Sequence, residues 1–207
     1  SEFIVKGGVL AGSTVLLPTL VLGQDCNLTS DDILGPYFVE GAPIRTVIAH
    51  ADEPGQRLFV SGRILQNDCE TPISGAMLEV WQANDAGCYS INLDCNTGNP
   101  GDDDFNLRGK MFSNANGQYA FETILPGHYS SRPRHIHVKI TTPDNEVLVS
   151  QLYFEGDSLC DVDPWCQQAE DRTIVLEEDT LGLHGEMEFV IDSTISGIIP
   201  GDVNMDG

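Results

Sequence analysis

A chain of 207 residues, 41% hydrophobic and 20% charged, has the length and apolar content of one globular domain with tails, able to bury a core of its own. Its 10 Lys+Arg stand against 32 Asp+Glu, a net charge of -22. That balance excludes a basic nucleic-acid-binding face and an attraction to anionic membrane surfaces, and it says nothing about the fold.

At the start of the chain, Lys6 precedes "GGVLAGSTVLLPTLVLG" (7–23), an apolar run ending in small residues. It is too short and too broken by Gly and Pro for a membrane span, and it fits the apolar region of an export signal. Residues 1–23 are therefore expected to be a leader. The alternative is a buried N-terminal strand, which the lack of alternation disfavours. No later stretch is apolar enough to cross a bilayer. The expected location is periplasmic or extracellular, with the type of export signal left open.

The domain is expected over 24–195. "DDILGPYFVEGAP" (31–43) reads as an extended loop broken by Gly and Pro. "RLFVSGRIL" (57–65) alternates as a strand does, "NDCETPISG" (67–75) is turn chemistry, and "AMLEVWQA" (76–83) is a second strand followed by the turn "NDAGCYS". Residues 92–109 read as loop. "GKMFS", "NANG" and "QYAFETI" (109–124) carry the signature of a hairpin. "HIHVKITT" (135–142) and "VLVSQLYFE" (147–155) are strands around the turn "PDNE", and "RTIVLEE" (172–178) and "HGEMEFVID" (184–192) complete the series. Short strands at regular spacing with almost no helical periodicity predict an all-β, antiparallel β-sandwich with long loops.

The six cysteines are Cys26, Cys69, Cys88, Cys95, Cys160 and Cys166, with no CxxC pair to suggest a zinc ribbon. An even count, with 88/95 and 160/166 close in sequence, fits local disulfides in an oxidising compartment; six buried thiols are the alternative. The C-terminal residues 196–207 are a short linker and then Asp202-x-Asn204-x-Asp206-Gly207, the opening of a calcium loop without its bidentate Glu. They resemble the start of a dockerin-like repeat, which implies attachment to a larger exported assembly; an acidic turn by chance is the other reading.

The chemistry centres on "SRPRHIHVKI" (131–140). In a strand, His135 and His137 point to one face and can converge on one metal, although an HxH pair alone serves structure as readily. Tyr129 lies in the loop before them and Tyr89 in a turn after a strand, neither at a core position, whereas Tyr119 alternates with Phe121 and reads as core. His50, His128 and His184 have no partner pattern. Two imidazoles with two phenols suit a hard trivalent ion, and ferric iron is the natural occupant.

These segments resemble the intradiol ring-cleavage dioxygenases, the family of catechol and protocatechuate dioxygenases. The likeness is carried by "LGPYF" (34–38), "VSGRILQNDCETPISGAMLEVWQANDAGCYS" (60–90), "LRGK" (107–110), "NGQYAFETILPGHY" (116–129), "RPRHIHVKI" (132–140) and "SQLYFEGD" (150–157), in the family's order over roughly residues 31 to 160. It implies that Tyr89, Tyr129, His135 and His137 hold a non-haem Fe(III), with Tyr89 and His135 equatorial and Tyr129 and His137 axial. A catechol would bind as a dianion and displace Tyr129, which acts as a base on leaving. O2 would then open the ring between the two hydroxyl-bearing carbons to give a cis,cis-muconate-type diacid. Arg132 would stabilise carbanion character on the ring, Gln151 would line the same pocket, and Tyr37 and Phe38 would form a wall of it. The implied partners are a small aromatic diol and O2, and a homo-oligomer is left open.

Three features depart from the family pattern. Arg134 sits where a small or apolar residue is usual; turned inward it would select a carboxylate-bearing catechol, but alternation aims it away from His135. Cys88 beside Tyr89 is unusual, and a bridge to Cys95 would brace that loop. The chain shows no helical N-terminal dimer domain and resembles protocatechuate-type subunits more. Segments such as "PISGAMLEVW" also fit a transthyretin-like or carboxypeptidase-regulatory sandwich, so a non-catalytic binding module is the rival. A metal-binding relic without activity is the third reading, since fold does not fix function.

Overall fold

The structure, a computed structural model, describes residues 26–90 and 104–193. The leader, the calcium-loop start and Cys95 lie outside the described residues. Nine strands are present there: β1 (Arg57–Gln66), β2 (Met77–Gln82), β3 (Arg108–Phe112), β4 (Gln118–Ile124), β5 (His135–Thr141), β6 (Val147–Phe154), β7 (Thr173–Ile174), β8 (Glu177–Glu178) and β9 (Leu183–Ile191). They form a four-stranded sheet in the order β4-β1-β9-β8 and a five-stranded sheet in the order β3-β2-β5-β6-β7.

Period-two alternation builds the sandwich. In β5, Ile136, Val138 and Ile140 are buried in the core between the sheets, with Leu78 and Val80 of β2 and Leu152 and Phe154 of β6. The other sheet contributes Leu58 and Val60 of β1, Phe121 of β4 and Phe189 of β9. Each such side chain stabilises the fold by about 1.5–3 kcal/mol. The residues between them in β5, His135, His137 and Lys139, face the opposite way, and alternation therefore puts both histidines on the outer face of the five-stranded sheet.

Three sequence expectations need correction. The sheets are mixed rather than purely antiparallel, because β1 pairs with β9 and β6 with β7 in parallel. The hairpin read over 109–124 has its turn, with Gly117 N donating to the Asn114 carbonyl at 2.9 Å. Its arms, however, join different sheets, β3 pairing with β2 and β4 with β1. The corner is held by Ser113, which is buried, donates to the Ile73 carbonyl at 2.6 Å and accepts from Ala76 N at 3.0 Å. "RTIVLEE" likewise splits into β7 in one sheet and β8 in the other.

Cys26 is bonded to Cys69, Cys160 to Cys166, and Cys88 is also in a disulfide. The reading of six free thiols is thereby overturned: among the described residues no cysteine is free. Between β6 and β7 the chain makes three short 3-10 turns, Ser158–Asp161, Cys166–Gln168 and Glu170–Arg172. No helix of the described residues is long and apolar enough to cross a membrane.

Candidate metal centre

Cross-strand register assembles the floor of the site. On the outer face, His137 is paired with Trp81 on one side and Gln151 on the other, and His135 with Tyr153. The indole of Trp81 stacks on the His137 ring, centroids 4.9 Å apart and planes 3° apart. Residues 30–38 cross this face, anchored where Asp32 N donates to the Val149 carbonyl at 2.8 Å and Gln151 Nε2 to the Ile33 carbonyl at 2.8 Å. Gly35 is the point of closest approach: a Cβ there would lie 3.0 Å from the His137 ring.

Tyr89 reaches the histidines from the loop after β2. Asn84 shapes that loop, its Oδ1 accepting from Ala86 N at 3.1 Å and Cys88 N at 2.9 Å. The Tyr89 hydroxyl lies 3.3 Å from His135 Nε2 and 3.1 Å from His137 Nε2. His135 Nδ1–H donates to the Pro133 carbonyl at 2.7 Å, which leaves the Nε2 lone pair facing Tyr89. Three buried donors, one phenol and two imidazoles, thus meet at one point.

Burial controls their charge. It pushes the Tyr89 phenol up, and Arg108 and Arg132 only partly oppose it. It lowers His135 to about 4 and His137 well below the usual imidazole range. The cluster is neutral at pH 7 by itself, which is the state imidazole needs to act as a ligand. Ligands bound ~2 Å from one ion sit ~3 Å apart, and the Tyr89–His135–His137 separations match that spacing. The donor that meets both histidines is the Tyr89 phenol. The donor set therefore fits a hard cation that binds phenolate.

Tyr129 joins from the loop before β5. Its hydroxyl is 2.6 Å from that of Tyr37, whose ring stacks on Tyr89 with centroids 4.1 Å apart. Arg108, buried beneath, donates to the Tyr37 carbonyl at 2.6 Å and to Ser90 Oγ at 3.0 Å, and burial lowers it to about 10, still a cation at neutral pH. Phe38 packs edge-on to Trp81 at 5.0 Å, with Lys139 Nζ 4.8 Å from its ring. It packs against the cluster formed by Trp81, Ala83 and Tyr89.

Arg132 lies beside the cluster. Its Nη2 donates to Gln151 Oε1 at 3.0 Å and to the Tyr153 hydroxyl at 2.9 Å. Gln151 is fully buried and its amide is committed to protein, donating to Asp32 Oδ1 at 3.1 Å besides Ile33. Arg134 does not enter the site. Its guanidinium donates to the Pro126 carbonyl in a groove lined by Leu125, Phe154 and Asp157, the direction opposite to its neighbour His135 in the strand. Of the two courses open to Arg134, inward as part of a substrate pocket or outward as alternation aims it, the structure shows the outward one. His50, His128 and His184 face Asp52, Asp157 and Asp179, away from the donors, and Tyr119 is core, donating to the Met187 carbonyl at 2.8 Å.

Sequence reading missed a buried layer behind the site. Asp32 Oδ2 accepts from Arg172 at 2.6 Å and from Tyr153 at 3.0 Å. Asp163 Oδ2 lies 2.6 Å from Arg132 Nε, and Trp165 covers the guanidinium. Only Tyr153 left a local signal, two residues after Gln151 on the same strand face.

The family described as Dioxygenase matches residues 33–190. A chlorocatechol 1,2-dioxygenase of Rhodococcus opacus is 33% identical over 190 residues, covering 80% of this chain and 71% of that protein. The dioxygenase domain of a dioxygenase–carbohydrate-binding fusion from Streptomyces sp. SirexAA-E superposes with a TM-score of 0.71 at 34% identity, over 81% of this chain and 100% of that one. An intradiol ring-cleavage dioxygenase of Tetranychus urticae superposes with a TM-score of 0.71 at 26% identity, over 81% of this chain and 95% of that one.

Proposed function

From the premise that the chain belongs to the intradiol dioxygenase family, we propose that it opens the ring of a catechol-type diol with O2 between the two hydroxyl-bearing carbons, giving a cis,cis-muconate-type diacid. The observation that carries this reading is the convergence of the buried Tyr89 hydroxyl on both His135 and His137. A non-catalytic sandwich has no need to bury that set.

Tyr89, Tyr129, His135 and His137 would hold a non-haem ferric ion. Bound there, it supplies a Lewis acid and a template that favours phenolate and catecholate over their protonated forms. Tyr129 is the ligand suited to leave, because it is less buried than Tyr89 and its hydroxyl already has a partner in Tyr37. Tyr129 Oη, 2.6 Å from the Tyr37 hydroxyl, would be the base placed to take a catechol proton. Tyr37 and Trp81 wall the donors from water, which strengthens every charge interaction inside. Arg132 stabilises negative charge that develops on the bound ring. Gln151 acts through Arg132 rather than on substrate, since its amide is fully engaged. The disulfides support a working life in an oxidising, exported environment.

The test is to load the purified protein with iron and record its visible spectrum before and after adding catechol or protocatechuate without oxygen. A tyrosinate-to-iron band that substrate shifts, followed under labelled O2 by a ring-opened diacid carrying two labelled oxygens, is the expected result. A colourless protein that retains no iron sinks the proposal.

A further inference from the structure

We propose that the disulfide-closed loop from Cys160 to Cys166 is a positioning device for Arg132, acting through Asp163 and Trp165. This rests on the catechol-cleaving reading above and deepens it by naming what fixes the cation beside the ring.

Arg132 is held from several directions. Its Nε lies 2.6 Å from Asp163 Oδ2, a charge contact, since the Nε hydrogen makes no aligned hydrogen bond. The Trp165 ring covers the guanidinium, 4.7 Å from its central carbon. Nη2 is occupied by Gln151 and Tyr153. Among the described residues Nη1 has no hydrogen-bond partner, so it is the nitrogen left to meet a substrate.

The same loop that holds Arg132 is closed covalently. Asp163 divides its carboxylate: Oδ1 accepts from Trp165 N at 3.1 Å and Cys166 N at 2.8 Å, and Oδ2 faces Arg132. One side chain therefore both shapes the turn and fixes the guanidinium. Cys160 and Cys166 pack with Ala169 against Tyr153, whose hydroxyl is another of the Arg132 contacts. Between 158 and 168 only Asp163 and Cys166 are buried. The loop thus has little apolar packing of its own, and the Cys160–Cys166 bond limits its freedom together with the turn hydrogen bonds of Asp163. A cation stabilises a developing charge most when it is fixed before the charge appears. An Arg132 released from this loop would have to be reordered in each turnover.

The experiment uses the iron-loaded full chain and three variants: Cys160→Ser/Cys166→Ser, Trp165→Leu and Asp163→Asn. The last keeps an oxygen for the two turn hydrogen bonds and removes the charge facing Arg132. Iron content, the tyrosinate-to-iron band and the anaerobic catechol Kd are expected to stay as in the parent, while kcat falls ~10-fold or more. Adding Arg132→Ala to each variant is expected to cost no more than Arg132→Ala alone, because the loop acts through that residue. Parent-like kcat in Asp163→Asn and Trp165→Leu, or losses that multiply with Arg132→Ala, overturn the proposal. These two variants keep the disulfide, so the outcome does not hang on whether the cysteine variant folds. A parent protein that binds iron but does not open catechol overturns the functional reading as well, and shows this before any variant is made.

Discussion

A side chain on Gly87 would fall 2.0 Å from the carbonyl oxygen of His128. The contact is reciprocal, since a Cβ on Gly127 would fall 2.1 Å from the Asp85 carbonyl oxygen, and Gly127 N donates to the Asn84 carbonyl at 2.8 Å. The loops that carry Tyr89 and Tyr129 are thus joined backbone to backbone, and two glycines set the distance between the phenols.

Gly87→Ala should therefore damage the proposed metal centre as well as the fold. Gly87 has φ +79°, so alanine meets the left-handed penalty of about 1–2 kcal/mol before any clash. Together with the collision, a loss of at least ~2 kcal/mol and a fall in Tm of about 4–8 °C is expected, with a weakened tyrosinate band. Gly156→Ala is the control, because Gly156 has φ +81° but nothing within 4 Å of its Cβ. It should cost only the left-handed penalty of about 1–2 kcal/mol and leave the band unchanged. Thermal unfolding and visible spectra of the two variants separate backbone strain from loop spacing.

Stability of the metal-free protein should rise with pH between about 4 and 6.5. Burial holds folded His135 at about 4 and His137 lower still, against the ordinary value of 6.5. In that window the unfolded chain binds more protons than the folded one, so acid favours unfolding, and the dependence from His135 levels off below its folded value. Each histidine contributes at most about 1.4 kcal/mol per pH unit. Denaturant unfolding of metal-free His135→Gln across this range should show a slope smaller by one proton. An unchanged slope would mean that the two imidazoles are not buried as described.

Asp32 should be among the most costly positions to truncate. Its carboxylate serves Arg172, Tyr153 and Gln151 at once, and the side chains of Asp32 and Arg172 are both buried. Asp32→Ala leaves the Arg172 charge with only the longer 3.6 Å contact to Asp171, and breaking such a buried pair costs about 3–5 kcal/mol. The double variant Asp32→Ala/Arg172→Met should recover part of that loss, because no uncompensated charge then remains. Urea unfolding of the single and double variants measures both.

These predictions mark how far local sequence carries. Alternation over 135–141 was enough to place His135 and His137 on one face opposite Ile136 and Val138, and the fold class followed from strands of that kind. Tyr89 and Tyr129 were visible only as aromatic residues in loops, and their shared target came from resemblance, since nothing local brings residue 89 to residue 135. The arms of 109–124 have the alternation and turn of a hairpin, and only tertiary pairing with β1 and β2 decides that they separate. Asp32, Asp163 and Arg172 read as ordinary surface charges in a chain of net charge -22. Their burial is set by contacts across more than a hundred residues in the case of Asp32 and Arg172, a separation at which sequence periodicity is silent.

Arg134 gives the sharpest separation between a reading from neighbours and one from geometry. Beside a proposed iron ligand, a cation invites the idea of selection for a carboxylate-bearing ring. The strand places it otherwise: its N–H donates to Asp157 Oδ2 at 2.8 Å and its guanidinium to the Pro126 carbonyl, on the side away from the phenols. Arg134→Ala should then leave the ratio of kcat/KM for catechol and protocatechuate within ~2-fold of the parent, because a group that does not touch substrate cannot discriminate between substrates. The cost should appear in stability, about 1 kcal/mol for the lost hydrogen bond. A selective loss of protocatechuate turnover would show instead that Arg134 swings into the site when substrate binds. Arg132→Ala, measured beside it, should reduce kcat for both rings, since its charge acts on the ring common to the two substrates.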